Sequence, residues 1–234
     1  MKLSIIIPIY NEVESLDSLF EELSNLFADE SATEIIFIND GSTDGGEDII
    51  NEICKKNDFF ESISFIKNSG LSSALKAGFD LCNSEYIGYI DADLQTSPSD
   101  FHVLLKFIDN YDLVTGYRSN RKDSYLKNIS SLVANGIRNI FTGDRVKDTG
   151  CPLKVIRTDF AQKIPMFKGL HRFLPAMILL QKGKIIEVPV KHFPRIAGKS
   201  KFGLFNRILG PLYDCFAFIW MKRKYINYQI KDNE

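Results

Sequence analysis

From Leu3 to Tyr117 the apolar positions follow two alternating periods. LSIIIPIY (3–10) is a continuous apolar run, and Val13, Leu16, Leu19, Phe20, Leu23, Leu26 and Phe27 then recur every three or four residues. A strand followed by a helix with one buried face is predicted. The same sequence of periods repeats: EIIFIND (34–40) reads as a strand and Ile49, Ile50, Ile53 and Cys54 mark a helix; ISFIK (63–67) reads as a strand and Leu71, Ala74, Leu75, Gly78 and Phe79 mark the next helix. YIGYI (86–90) and DLVTGY (112–117) complete the set, flanking a helix at about 99–109 that starts after TSPS. Such a βαβ series closes most economically as a parallel sheet with helices on both faces, and uninterrupted apolar strands agree with burial on both sides.

In an open α/β sheet, ligands bind outside the carboxyl ends of the strands. That rule collects the polar residues at one rim: Asn11 and Glu12 after the first strand, Asn39 and Asp40 after the second, Asn68 after the third, Asp91 and Asp93 after the fourth, Arg118 after the fifth. Asn, Asp and Gly also make ordinary turns, but five successive clusters at the same edge point to a site. The turn after the first strand, YNEVES, lacks the GxGxxG of a dinucleotide fold, and NDGSTDGG is not followed by the lysine of a Walker loop. With acids dominating the rim, bound phosphates require a divalent cation between them and the carboxylates. Asp91 and Asp93, one residue apart, suit a small hard cation, Mg2+ or Mn2+, shared with a diphosphate.

Composition narrows the classes. The chain has 234 residues and is 44% hydrophobic, enough for one substantial core, and its 29 basic and 30 acidic residues argue against a general nucleic-acid binder. Cys54, Cys82, Cys151 and Cys215 form no CxxC pair and read as buried thiols in a reducing compartment. The N-terminal run holds Pro8 and meets Asn11 and Glu12 with no small-residue cleavage site, so it reads as a strand rather than an export signal. No stretch reaches the roughly 18 uncharged apolar residues of a membrane span.

SIIIPIYNE (4–12), FINDGSTDG (37–45), DADLQ (91–95), TGYR (115–118), DTGCPLKVIR (148–157), HRFLPA (171–176) and PRIAGKSKFG (194–203) together resemble the ordered motifs of inverting family-two glycosyltransferases. More narrowly they resemble the dolichol-phosphate mannose synthase and polyprenyl-phosphate sugar synthase group, from residue 3 to about 207. The resemblance implies a GT-A fold, Rossmann-like, with a catalytic domain over 1–203 and an amphipathic, membrane-associating segment over 204–234. It implies that Pro8, Tyr10, Glu12 and Asp40, with Asp91, hold a GDP- or UDP-sugar, and that Asp91, Asp93 and Gln95 surround Mg2+ or Mn2+. Ser42 and Asp44 serve equally well as helix caps.

Val188 to Tyr213 contains no acidic residue but carries Lys191, Arg195, Lys199, Lys201 and Arg207. In a chain of net charge −1 this is a localised cationic strip, and in the family's light it marks a phosphate-binding loop. Arg118, Arg138, Arg195, Lys199, Ser200 and Lys201 are its candidate acceptor-phosphate ligands, and Asp93, Arg118 and Arg195 the candidate catalytic residues. The three histidines, His102, His171 and His192, fall outside the five rim clusters. An acceptor already ionised, such as polyprenyl phosphate, needs no general base.

The segment 204–225 places Phe205, Ile208, Leu212, Phe216 and Ile219 at helical spacing, then Trp220, Lys222–Lys224 and Tyr225. It suits an interfacial helix pair interrupted at Gly210-Pro211, or a pair packed on the domain. Asn128 to Phe141 has a similar apolar face. Relatives often carry C-terminal transmembrane helices, so attachment here is expected to be peripheral, on the cytoplasmic face, with room for a separate membrane subunit. Two rivals stay open: a transferase of the same fold acting on a saccharide hydroxyl, and a non-catalytic membrane-associated sugar-nucleotide binder.

Overall fold

The computed structural model describes residues 2–27, 33–119, 135–194 and 204–226. β1 (Leu3–Ile9), β2 (Thr33–Asn39), β3 (Phe60–Ser64), β4 (Tyr86–Tyr89), β5 (Leu113–Arg118), β6 (Lys154–Arg157) and β7 (Ile185–Val190) form one seven-stranded sheet in the order β3-β2-β1-β4-β6-β5-β7. β1 pairs in parallel with β2 and β4, β2 with β3, and β5 with β7, whereas β6 is antiparallel to both neighbours. The sheet is therefore mostly parallel, as the periodicity predicts. β6 and β7 are additional to the five predicted strands.

Helices α1 (Val13–Phe27), α2 (Gly46–Lys56) and α3 (Leu71–Leu81) follow the first three strands. The predicted helix at 99–109 is a 3-10 turn, Pro98–Asp100, running into the short α4 (Phe101–Leu105). A further helix, α5, covers 135–142; α6 (Thr158–Gln162) follows β6, and α7 (Leu174–Leu180) follows a 3-10 turn at Leu170–Phe173. α8 (Leu204–Lys224) is last.

Each strand feeds two cores. Ile5, Ile7 and Phe37 point to the layer holding Leu16, Leu19, Leu23 and Phe101; Ile6, Ile36 and Ile38 point to the layer holding Leu75, Phe79, Met177 and Phe218. This is the double burial that continuous apolar strands require. Gly78 lets α3 lie against β1, since a Cβ there would fall 2.9 Å from the Ile6 side chain.

β3 spans 60–64 rather than 63–67. Its register with β2 pairs Phe60 with Ile35 and Ser64 with Asn39, so pairing stops where β2 stops and Ile66 lies fully exposed. α8 runs through Gly210-Pro211 as one helix rather than two. It docks by Phe218, stacked on Phe173 at 5.4 Å between centroids, and by an Arg172–Asp214 ion pair at 3.2 Å. Cys54, Cys82, Cys151 and Cys215 are free thiols, all buried except the half-buried Cys54.

Candidate active site

The strand order reverses between β1 and β4, and this switch point opens the crevice. β4 stays beside β1 only from Leu3 to Ile6, so Pro8 falls where the two strands part, a position with no ladder bond to lose on that side. The five predicted polar clusters lie along this carboxyl edge.

The half of the rim formed by the loops after β1, β2 and β3 is stitched from side chain to backbone. Asn11, with φ of 52°, accepts a bond from Thr43 N–H at 2.7 Å through its Oδ1 and donates its own N–H to Ser42 Oγ at 3.1 Å. Asp44 accepts from Val13 N–H at 2.9 Å and Gly46 N–H at 3.0 Å, so it caps the first turn of α1 and steadies the start of α2. Asp44 thus acts as a cap, as the sequence allowed, whereas Ser42 accepts from a loop N–H, that of Asn11, rather than from a helix. Asp40, buried after β2, accepts from Asn68 Nδ2 (2.9 Å), Ser69 N–H (2.7 Å) and Gly70 N–H (2.9 Å). It holds the loop after β3 against the loop after β2. Gly41 makes that approach feasible: its φ is +68°, and a Cβ would sit 2.5 Å from the Lys67 carbonyl carbon. Tyr10 and Glu12 are half-buried beside this loop pair.

The second half is the turn DADLQ. Asp91 is half-buried and accepts a hydrogen bond from Tyr89 Oη at 2.7 Å; Asp93 is buried and accepts from Gln95 N–H at 3.1 Å. Between them and Gln95, Leu94 adopts φ of +53° with its side chain in the core, a conformation that bulky residues rarely take and that bends the chain at the carboxylates. Burial first, then the charge of Asp93, pushes the Asp91 carboxyl up from 3.8 to about 6. Tyr89, Lys154 and Arg118 offset part of that rise. Gln95 works through its backbone, its C=O accepting from Phe193 N–H at 2.9 Å. With Lys191 N–H bonded to Asp100 at 2.7 Å, that contact ties the chain leaving β7 to the loop after β4.

Two cations face the carboxylates. Arg118, at the end of β5, is gripped by Asp148, which accepts from Nε (2.8 Å), Nη2 (2.9 Å) and the backbone N–H (3.2 Å). Lys154, on β6, is almost fully buried and donates to the carbonyls of Thr149 and Cys151; burial pulls its pKa down while the nearby thiol and carboxylates oppose that shift. Lys154 was missed in the sequence, although a lysine inside the apolar run CPLKVIR was its signal. His171 was also set aside, yet its Nδ1 lies 2.8 Å from Ser72 Oγ at the start of α3, next to the 68–70 loop. Because Ser72 Oγ already accepts from Gly169 N–H at 3.0 Å, its proton is free to go to Nδ1, which leaves the proton of the neutral ring on Nε2. Burial drops the His171 pKa from 6.5 to about 3.

Arg138 is not at this rim. It is buried in α5, ion-paired with Asp144 and bonded to Val146 C=O at 3.0 Å, so it fastens the 142–146 turn, while Ile137 and Ile140 on the same helix are exposed. The burial of Arg138, at 5% exposure, and its pairing both count against the acceptor-phosphate role that the sequence suggests for it. Arg195, Lys199, Ser200 and Lys201 lie outside the described residues, as does 128–134 of the predicted Asn128–Phe141 helix.

Among the described residues no group of three or more His, Cys, Asp or Glu side chains gathers to enclose a metal. Two neighbouring carboxylates, one of them raised in pKa chiefly by burial and then by the charge of the other, fit a different kind of site. They suit a hard divalent cation whose remaining ligands are diphosphate oxygens and water.

Known proteins share the fold and much of the length of this chain. A dodecaprenyl-phosphate galacturonate synthase of Rhizobium johnstonii is 29% identical over 232 residues, spanning 95% of this chain and 68% of that protein. A Pyrobaculum calidifontis mannosyltransferase solved with GDP-Man and Mn2+ superposes with a TM-score of 0.65 at 14% identity, covering 93% of this chain and 63% of that one. A glucosyl-3-phosphoglycerate synthase of Mycobacterium tuberculosis, solved with Mn2+, UDP and its product, superposes with a TM-score of 0.70 at 16% identity, covering 95% and 78%. The latter two establish the GT-A fold, and residues 4–164 match Glycosyl transferase family 2. The chain belongs to glycosyl transferase family 2 and is a glycosyltransferase.

Proposed function

We propose that the protein moves a hexose-type sugar from a GDP- or UDP-sugar to polyprenyl phosphate, with inversion at the anomeric carbon. The observation that carries the acceptor assignment is the Arg118–Asp148 clamp opposite Asp91 and Asp93. A saccharide hydroxyl needs a base to take its proton, a part that Asp93 or Glu12 would have to fill, since Asp148 is bound to Arg118. Three donors of Arg118 occupy its oxygens, which favours its charged, non-basic state. A phosphate monoester arrives ionised and asks instead for fixed positive charge, which Arg118 and Lys154 supply. The Rhizobium relative, named as a dodecaprenyl-phosphate synthase, supports the same class of acceptor.

On this reading the loops after β1, β2 and β3, with Pro8, Tyr10, Glu12 and Asp40, take the nucleoside. Asp91 and Asp93 would hold Mg2+ or Mn2+, which supplies charge neutralisation for the departing diphosphate when bound. An acceptor phosphate oxygen attacks the anomeric carbon as the bond to the donor's β-phosphate oxygen breaks; the nucleoside diphosphate leaves with that electron pair and no proton moves. Arg118, with Arg195, Lys199, Ser200 and Lys201, would orient the incoming phosphate, so rate enhancement rests on positioning and charge.

No helix among the described residues is long and apolar enough to cross a membrane. α8 supplies a surface suited to meet one from the cytoplasmic side. Cys215 and Phe218 are buried against the domain and Phe216 meets Phe141 edge-on, while Tyr213 and Trp220 are exposed and Lys222, Arg223 and Lys224 follow. Aromatics at headgroup depth and basic residues over anionic lipid are the usual interfacial pattern.

The test is transfer of labelled sugar into an organic-extractable product from a panel of GDP- and UDP-sugars, with polyprenyl phosphate and Mn2+ or Mg2+. Lipid-phase label from one donor is expected. Label confined to a saccharide or to free sugar across the whole panel overturns the acceptor assignment.

A further inference from the structure

We infer that Glu187 is a positioning residue for Arg118, acting through the backbone of Lys147 and Asp148; the inference rests on the acceptor-phosphate reading above. Glu187 sits on β7, at the edge of the sheet, in register with Thr115 of β5. A glutamate on an edge strand ordinarily reaches into water. This one turns along the sheet, and its two carboxylate oxygens accept from Lys147 N–H (3.0 Å to each oxygen) and Asp148 N–H (3.1 Å). Backbone N–H groups converging on one carboxylate fix where residue 148 begins.

From that anchored backbone the Asp148 side chain reaches Arg118 with the three bonds already described. Other contacts close the remaining sides of the segment: Asn135 Nδ2 donates to Lys147 C=O at 2.8 Å, Asn135 Oδ1 accepts from Thr149 Oγ1 at 3.1 Å, and the Lys147 ammonium lies 5.3 Å from the Tyr117 ring centroid. Beside the Arg118–Asp148 pair stands Gly150, where a Cβ would come within 3.2 Å of Arg118 Nη2 and 3.7 Å of Asp148 Oδ1. Glu187, Asp148, Gly150 and Arg118 thus make a short relay from the sheet edge to the crevice. Its output is the direction of one planar fork, the property that bidentate phosphate recognition depends on.

A Glu187→Gln substitution keeps size and one acceptor oxygen but replaces the other with an NH2 facing an N–H. If Glu187 acts through Arg118, Glu187→Gln raises KM for polyprenyl phosphate about tenfold and leaves KM for the sugar nucleotide within about twofold. In an Arg118→Ala background the same substitution then changes nothing further, because the group it orients is gone. A second readout does not depend on turnover. In protein labelled with 15N-arginine, the Arg118 Nε–H signal, identified by its loss in Arg118→Lys, is slow to exchange in the wild type and broadens or exchanges faster in Glu187→Gln. Equal rises in both KM values, additive losses in the double variant, or an unchanged Nε–H signal overturn the inference. Should the wild type fail to label lipid phosphate, the acceptor reading falls on its own and the Nε–H signal alone decides the positioning role.

Discussion

Replacing Asp93 by asparagine separates the cost of the carboxylate pair from its use. Asp91 rises from 3.8 to about 6, so holding it ionised at neutral pH costs the fold about 3 kcal/mol at 1.36 kcal/mol per pH unit. Burial is the larger cause and the Asp93 charge the second, so neutralising Asp93 should return about 1 kcal/mol to the metal-free protein. The introduced amide retains an oxygen for the Gln95 N–H, 3.1 Å away in the wild type, so little packing is lost. For a chain of this length the gain reads as a Tm higher by about 2–4 °C without metal. The wild type, by contrast, gains about 2.7 kcal/mol from Mn2+ at a hundred times its Kd, and the variant loses that metal-dependent shift. Transfer should fall by about 10²–10³-fold or more, the scale of removing a key electrostatic group. Thermal melts with and without Mn2+, beside the transfer assay, read all three quantities. A variant that melts well below the wild type without metal yet keeps its Mn2+ shift and its activity refutes the assignment.

Three further outcomes follow from the same geometry. His171, with its folded pKa of about 3 against 6.5 unfolded, adds stability above pH 6.5 that drains at about 1.4 kcal/mol per pH unit as pH falls. Asp91, raised to about 6, has the opposite sign, so the metal-free wild type should be nearly level between about pH 4 and 6, and Asp91→Asn should uncover the acid loss in a pH series of denaturant melts. Lys154→Met leaves the carbonyls of Thr149 and Cys151 without their buried partner and should cost about 2–4 kcal/mol in urea unfolding. It should also move the acidic limb of the activity profile to higher pH, since Lys154 lowers the Asp91 pKa. Tyr213→Ser with Trp220→Ser should abolish flotation with anionic vesicles while leaving the melt within about 1 kcal/mol, because both side chains are largely exposed.

The parallel core and its polar rim were legible because both follow from local rules. Apolar runs of two periods give strands and helices, and the carboxyl edge collects whatever polar residues end the strands. The β3 boundary was not legible, since Phe65 and Ile66 are as apolar as Phe60 and only pairing with Asn39 at the end of β2 stops the strand. Arg138 was misread for a related reason: charge says nothing of direction, and Asp144, six residues on, claims it. Lys154 and His171 escaped because their roles are made by tertiary contacts, one with the carbonyls of a turn and one with Ser72, a residue 99 positions away. Asp148 belongs to the DTGCPLKVIR motif, but its grip on Arg118 depends on β5 and β6 being neighbours, which no periodicity reveals.

The most direct test of the central claim compares matched acceptors in one reaction: polyprenyl phosphate, the corresponding polyprenol, and a soluble oligosaccharide, each with the donor that the panel selects. The account predicts label on polyprenyl phosphate alone, with the anomeric configuration opposite to that of the donor by NMR. Transfer to the polyprenol or the oligosaccharide at a comparable rate, or a product that keeps the donor's configuration, would contradict it.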